Sequence, residues 1–236
     1  MISSIVQYFM TKYGEPRNKP LAKGNLFHKY SYEIDKIKYI FASRFVKNKK
    51  IINVACGEGY SSTILSRANP RFITNIDLDL ETIKKAKEKY GNDKCEFICQ
   101  DAESLVFKEN SFDTAISMET IEHFKDPNKF LSDLKKITKP SSIIVISTPN
   151  GSFTNKVGFK MSPFHVKEYT TNEMKSIIQK HFTVNDIFHQ IPFNKNFFLL
   201  KLNILYALLF RIKKIKRRNH STSGIFNIYV CKNEKR

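Results

Sequence analysis

The 236-residue chain has no tryptophan, four cysteines, and only eight glycines and eight prolines. Cys56, Cys95, Cys99 and Cys231 are too few and too scattered for a disulfide framework. Cys95 and Cys99 have no second pair to complete a zinc site, so all four read as reduced thiols. No run of 18 apolar residues occurs, so no membrane-spanning helix is expected. The start, MISSIVQYFMTKYGEP, lacks a basic n-region and a clean apolar core. It does not read as a signal peptide, and the expected location is the cytoplasm.

Acidic residues are also scarce, 22 against 40 basic, for a formal net charge of +18. The excess is uneven. Residues 1–49 hold 10 basic and 3 acidic side chains, residues 50–190 hold 19 and 18, and residues 191–236 hold 11 and 1. A near-neutral middle (+1) thus lies between ends of +7 and +10, a pattern of a core with its own chemistry and ends that meet something anionic. An AT-rich genome would also raise lysine throughout, which explains the total better than the clustering. Apolar content of 41% argues against disorder. The length suits one domain with appendages: a basic helical extension over 1–49, a core over 50–190, and a C-terminal part over 191–236.

Pro16 and Pro20 break regular structure near the start. Ile34, Ile37, Ile40, Phe41 and Phe45 recur at helical spacing within 31–47. From IINVAC onward, short apolar runs alternate with helical patterns. RFITNIDLD, CEFICQD, SFDTAISME, SSIIVISTPN and FTVNDIFHQ read as strands. SSTILSRA, LETIKKAKEKY, DPNKFLSDLKKITK and TNEMKSIIQKHF read as helices, with Asp126 and Thr171 as N-caps. Such alternation implies an α/β parallel sheet whose strand ends share one rim, where ligands bind.

Three features cluster at that rim. NVACGEGYSS places Gly57 and Gly59 in a G-x-G turn between the first strand and a helix, which lets backbone approach a ligand and aims helix amides at it. Asp77 ends the second strand, 20 residues after Gly57, where a carboxylate suits a ribose diol. Asp101 ends the third, placed to accept from an adenine amino group beside the Ala102 amide. A single acid at a strand end is ordinarily solvated; three features on successive strands are harder to dismiss.

Together with NSFDTAISMETIEHFKDPNKFL and KPSSIIVISTPN, these segments resemble the class I S-adenosylmethionine (SAM)-dependent methyltransferases over roughly residues 28–190. The resemblance implies a Rossmann-like, seven-stranded sheet, mostly parallel, with helices on both faces. Its antiparallel last strand would come from Gly224 to Lys232. It implies a cofactor set of Asn53, Ala55, Gly57, Gly59, Asp77, Leu78, Asp101, Ala102 and Met118, with S-adenosylhomocysteine (SAH) as product. The chain departs from the pattern at Asn53, where the family usually has an acid, and at Ser61, where it often has glycine. A nicotinamide dinucleotide is the competing cofactor, but it wants glycine at position 62, which is Ser62.

In METIEHF, Glu119, Glu122 and His123 would share one face of a helical turn, and SPFHVKEYT adds His165. Glu119, Glu122, His123 and His165 could hold Mg²⁺ or Mn²⁺. This set resembles that of small-RNA 2′-O-methyltransferases, and its E-x-x-E-H segment is similar to that of ubiquinone-pathway O-methyltransferases. Equally, His123 or His165 could serve as a metal-free general base, with Glu119 lining the acceptor pocket; a purely structural role is the third reading.

The central wording resembles bacterial methyltransferases of glycan and polysaccharide pathways, implying a small-molecule, glycan or lipid-linked acceptor. Phe197 to Arg218 runs from apolar to six basic residues in Arg211–Arg218. It suits a lid helix, or an interfacial helix on an anionic membrane, with the enzyme peripheral at its inner face. An RNA acceptor would use the same charge, although no aromatic-basic platform accompanies it. A non-catalytic SAM-binding module is a further alternative. Nothing in the sequence fixes the oligomeric state.

Overall fold

A computed structural model describes residues 26–157, 162–190, 215–217 and 224–234. Elements in chain order are α1 (Leu26–Ala42), β1 (Lys50–Val54), α2 (Ser61–Ser66), β2 (Phe72–Asp77), α3 (Leu80–Tyr90), β3 (Cys95–Cys99), β4 (Phe112–Met118), α4 (Pro127–Ile137), β5 (Thr138–Pro149), α5 (Gly151–Val157), α6 (Thr171–Gln179), β6 (Thr183–Gln190), β7 (Ile215–Arg217) and β8 (Phe226–Lys232). Short 3-10 turns cover Ser43–Phe45 and Ile121–His123.

Among the described residues the strands form one sheet in the order β3-β2-β1-β4-β5-β8-β6-β7. The β3, β2, β1, β4 and β5 strands pair in parallel, while β8 runs antiparallel between β5 and β6. The seven expected strands, including the antiparallel one drawn from Gly224 to Lys232, are present. Ile215–Arg217 adds an eighth, paired antiparallel to β6. That part of the basic run is therefore sheet edge rather than helix tail or loop, and the Arg217 guanidinium bonds Asp186. The rest of the expected lid or interfacial helix, like Pro16 and Pro20, lies outside the described residues. No helix among the described residues is long and apolar enough to cross a membrane.

Alternation along the strands feeds two cores. Ile52 and Val54 of β1 join Phe130, Leu131 and Leu134 of α4 and Met174 and Ile178 of α6. Ile51 joins the opposite face with Tyr39, Phe41, Ile64, Leu65, Ile83 and Ala86 of α1, α2 and α3. Helices thus cover both sides of the central strands β1 and β4, which are almost wholly buried.

Local chemistry sets the helix boundaries. Asp126 caps α4 through the Asn128 amide, with Pro127 in the first turn. The cap of α6 is Thr170 rather than Thr171. Thr170 is extended, its Oγ1 accepts the Glu173 amide, and Glu173 accepts the Thr170 amide, a capping box. Thr171 is instead buried, donating to Asn150 and accepting from Asn227. Helix α5 was not foreseen from sequence; Asn150 Oδ1 accepts the Ser152 amide at its start. In α1, Ile40 is half exposed and Lys38 is buried in its place, for a reason that lies at the site.

Candidate active site

The turn after β1 has Ala55, Gly57 and Gly59 all at positive φ, 54°, 53° and 77°. The two glycines serve different ends. A Cβ on Gly59 would lie 2.7 Å from Phe97 Cε1 and 2.8 Å from Ala86 Cβ, so its lack of side chain lets the turn pack onto β3 and α3. A Cβ on Gly57 would meet nothing within 4 Å; Gly57 is the face turned to open space. Its amide donates to Asp77 Oδ2 at 2.9 Å, and the Asp79 amide donates to Oδ1 at 3.1 Å. Asp77 is thereby fixed beside the turn.

Asn53 is fully buried beneath this turn. Its Nδ2 donates to Ser61 Oγ and Asn75 Oδ1, and Ser62 Oγ also donates to Asn75 Oδ1. This neutral network explains how the chain accommodates Asn53 and Ser61: serine supplies the acceptor that asparagine needs. Asn53 Oδ1 is buried with no hydrogen-bond partner. Around the rim, Leu78 is exposed, Asp101 Oδ1 caps the Glu103 amide, and Ala102 and Met118 are buried. All nine expected cofactor residues lie along or just beneath the β1, β2, β3 and β4 ends.

Helix α1 crosses the same rim. Tyr32 and Tyr39 pack on Tyr60 of the turn, with ring centroids 4.7 and 6.1 Å away. Gln190 at the β6 end donates to the Ile34 carbonyl. Between them, Lys38 Nζ lies 3.0 Å from Asp35 Oδ1, 2.9 Å from Glu119 Oε1 and 3.7 Å from the Phe226 ring centre. Burial by itself would lower the Lys38 pKa, but the two carboxylates outweigh it and hold it raised. Glu119 follows β4 at φ 52°, an unfavourable conformation for a residue that carries a Cβ. Ser147 Oγ donates to its Oε1 at 2.6 Å. Burial raises the Glu119 pKa, and Lys38 pulls it part of the way back.

The expected four-residue cluster comes together in part. Ligand atoms of Glu122, His123 and His165 lie within 4.8 Å of one another. Glu119 precedes the 3-10 turn and is engaged by Lys38 and Ser147. Glu122 is fully buried; Thr148 Oγ1 donates to its Oε2 at 3.1 Å, while its Oε1 makes no hydrogen bond. Burial, then the nearby Glu119 charge, raises its pKa well above the usual range. The His123 and His165 rings meet edge to face at 4.9 Å, and His165 Nε2 is 4.0 Å from Glu122 Oε1.

Lys38, Ser147, Thr148 and Glu168 were not found by sequence reasoning. Lys38 carried a signal, a lysine beside Tyr39 and Phe41 on the apolar side of a helix. Glu168, three residues after His165, carried a weaker one.

Residues 52–146 match the family model described as a methyltransferase domain. This stretch runs from β1 into β5 and includes Glu119, Glu122 and His123 but not His165. The chain is 25% identical over 146 residues to a Mycolicibacterium smegmatis protein named "Probable S-adenosylmethionine-dependent methyltransferase", covering 60% of this chain and 56% of that one. It is 28% identical over 135 residues to the phthiotriol/phenolphthiotriol dimycocerosates methyltransferase of Mycobacterium leprae, covering 57% and 46%. The chain thus spans about half the length of these curated relatives. In fold it is similar to a SAM-dependent methyltransferase structure from Thermotoga maritima, with a TM-score of 0.67 at 14% identity, covering 98% and 99% of the two chains. The fold, the family match over residues 52–146 and the relatives together support a class I SAM-dependent methyltransferase.

Proposed function

We propose that this chain transfers the methyl group of SAM to a hydroxyl of a small-molecule, glycan or lipid-linked acceptor, with His165 or its neighbour His123 as general base. The acceptor oxygen attacks the methyl carbon in line, the carbon–sulfur bond breaks, and its electron pair leaves with sulfur to give SAH. The sulfonium is already a good leaving group, so the protein supplies orientation and a base for the hydroxyl proton. The observation that carries the reading is the pair of facing imidazoles beside a buried carboxylate, beyond the β4 end and apart from the cofactor turn.

The acceptor class rests on the resemblance and on a relative named for a dimycocerosate lipid. Asn53, Ala55, Gly57, Gly59, Asp77, Leu78, Asp101, Ala102 and Met118 form the proposed cofactor surface. Peripheral attachment to an anionic membrane through Arg211–Arg218 is part of the proposal. Incubation with methyl-labelled SAM and lipid or polysaccharide fractions tests it: label should enter a base-stable ether. His165→Ala and His123→Ala would each be compared, and the base should lose about 10²–10⁴-fold in rate. Label in RNA, with salt-sensitive RNA binding at physiological ionic strength, would replace the acceptor class. SAM binding without transfer to any fraction would leave a binding module.

A second reading is favoured by one observation: the buried Glu122 Oε1 lies 4.0 Å from His165 Nε2, and ligand atoms of Glu122, His123 and His165 all lie within 4.8 Å of one another. A carboxylate and two imidazoles fit a divalent ion such as Mg²⁺ or Mn²⁺. Glu122, His123 and His165 would hold it. A bound ion would act as a Lewis acid on the acceptor hydroxyl. Undiminished transfer after thorough chelation would remove this reading.

A further inference from the structure

His165 has a second carboxylate neighbour on its other ring nitrogen. Its Nδ1 lies 2.5 Å from Glu168 Oε1, and both side chains are nearly inaccessible, at 5% and 3%. The backbone holding this pair is tied at several points. The His165 amide donates to the Ser162 carbonyl, and the Val166 and Lys167 amides both donate to the Glu122 carbonyl at 2.9 and 3.2 Å. Gly151 donates to the Tyr169 carbonyl at 2.8 Å. A side chain on Gly151 would strike the Glu168 carbonyl oxygen at 2.3 Å, so the segment lies directly on the start of α5. The Thr170–Glu173 capping box follows at once. Glu168 is therefore a fixed carboxylate, unlike a mobile surface counterion.

We propose that Glu168 is the positioning residue of His165, holding the ring as the tautomer with its proton on Nδ1 and its lone pair on Nε2. A carboxylate accepts a hydrogen bond from Nδ1–H, which leaves Nε2 as the basic nitrogen. Nε2 is the atom 4.0 Å from Glu122 Oε1. The ring is thus oriented for either proton acceptance or metal ligation from that corner. The inference rests on His165 being a working group of the proposed site, but it concerns the ring's state and needs no acceptor to test.

The test is long-range ¹H–¹⁵N NMR on the full chain labelled at histidine, chelator-treated, with the His165 signals assigned by their loss in His165→Asn. The expected wild-type pattern is Nδ1–H with unprotonated Nε2. Glu168→Leu should move His165 toward the Nε2–H form. Glu168→Gln, whose amide oxygen still accepts, should preserve the wild-type form. Once an acceptor is known, Glu168→Leu should lower kcat by about 10–100-fold with unchanged SAM affinity, and Glu168→Gln should recover part of that. An Nε2–H or doubly protonated ring in the wild type would overturn the proposal without reference to any variant. So would an identical tautomer in wild type and a folded, SAH-binding Glu168→Leu. A tautomer change in Glu168→Leu, with transfer unaffected in His165→Ala, would support the positioning role and sink the base assignment alone.

Discussion

Lys38→Met is the sharpest perturbation of the scaffold. The lysine is wholly buried among Asp35, Glu119 and the Phe226 ring. Methionine keeps most of the stem's packing and removes only the ammonium. Glu119, with 16% of its side chain exposed, is then left without its cation, in a strained conformation and with Ser147 as its remaining donor. Removing one partner of a buried pair costs about 3–5 kcal/mol, a large share of a total near 5–15 kcal/mol. With a urea m-value of about 2–3 kcal/mol/M, the midpoint should fall by roughly 1–2.5 M. Glu119→Gln should cost less, because Lys38 keeps Asp35. The double variant Lys38→Met/Glu119→Gln should recover most of the loss, since Asp35 is 35% exposed and can turn to water. Equilibrium urea unfolding of the four proteins reads the cycle. A Lys38→Met cost under about 1 kcal/mol, or a double variant no better than Lys38→Met, would refute the reasoning.

The two turn glycines should separate stability from binding. Gly59→Ala drives a methyl into Phe97 and Ala86 at φ 77°, and should cost about 2–5 kcal/mol from strain and overpacking. Gly57→Ala meets open space, and Ala55 already tolerates φ 54° in the same turn. It should cost only about 1 kcal/mol in stability while weakening SAH binding at least tenfold. Thermal unfolding and calorimetry on both variants check this; equal effects on both readouts would count against it. The Glu173 pKa is depressed to about 2 by its hydrogen bonds to Thr170, then by Lys167. Its contribution is therefore present above the ordinary glutamate range and is lost as pH falls toward 2. Glu173→Ala should destabilise by about 0.3–1.5 kcal/mol at pH 7, a gap that closes at low pH. A gap unchanged between pH 7 and pH 2.5 would contradict the assignment.

The strands, most of the helices and the glycine turn were legible because they rest on local signals: buried apolar runs, glycines at a strand–helix junction, and acids at successive strand ends. The α4 cap was legible because Asp126–Pro127 has one local solution. The α6 cap was displaced by one residue because Thr170 and Thr171 are both competent by type. Only the position of Glu173 and the burial of Thr171 against Asn150 and Asn227 decide between them. Ile40 and Lys38 exchange places relative to a hydrophobic pattern because Glu119, 81 residues further on, supplies a counter-charge that no local window contains. The same holds for the histidine site. The E-x-x-E-H spacing holds two of the three residues brought together, Glu122 and His123. The positive φ at Glu119 turns that residue toward α1, and a distant loop then supplies His165 together with Glu168.

The central claim is that SAM sits on the rim formed by the Gly57 turn and Asp77. Titration calorimetry of SAH into the full chain, beside Asp77→Ala, tests it most directly. One site per chain is expected, with affinity at least tenfold weaker in the variant. No binding to the wild type, or equal affinity in both proteins, would contradict it.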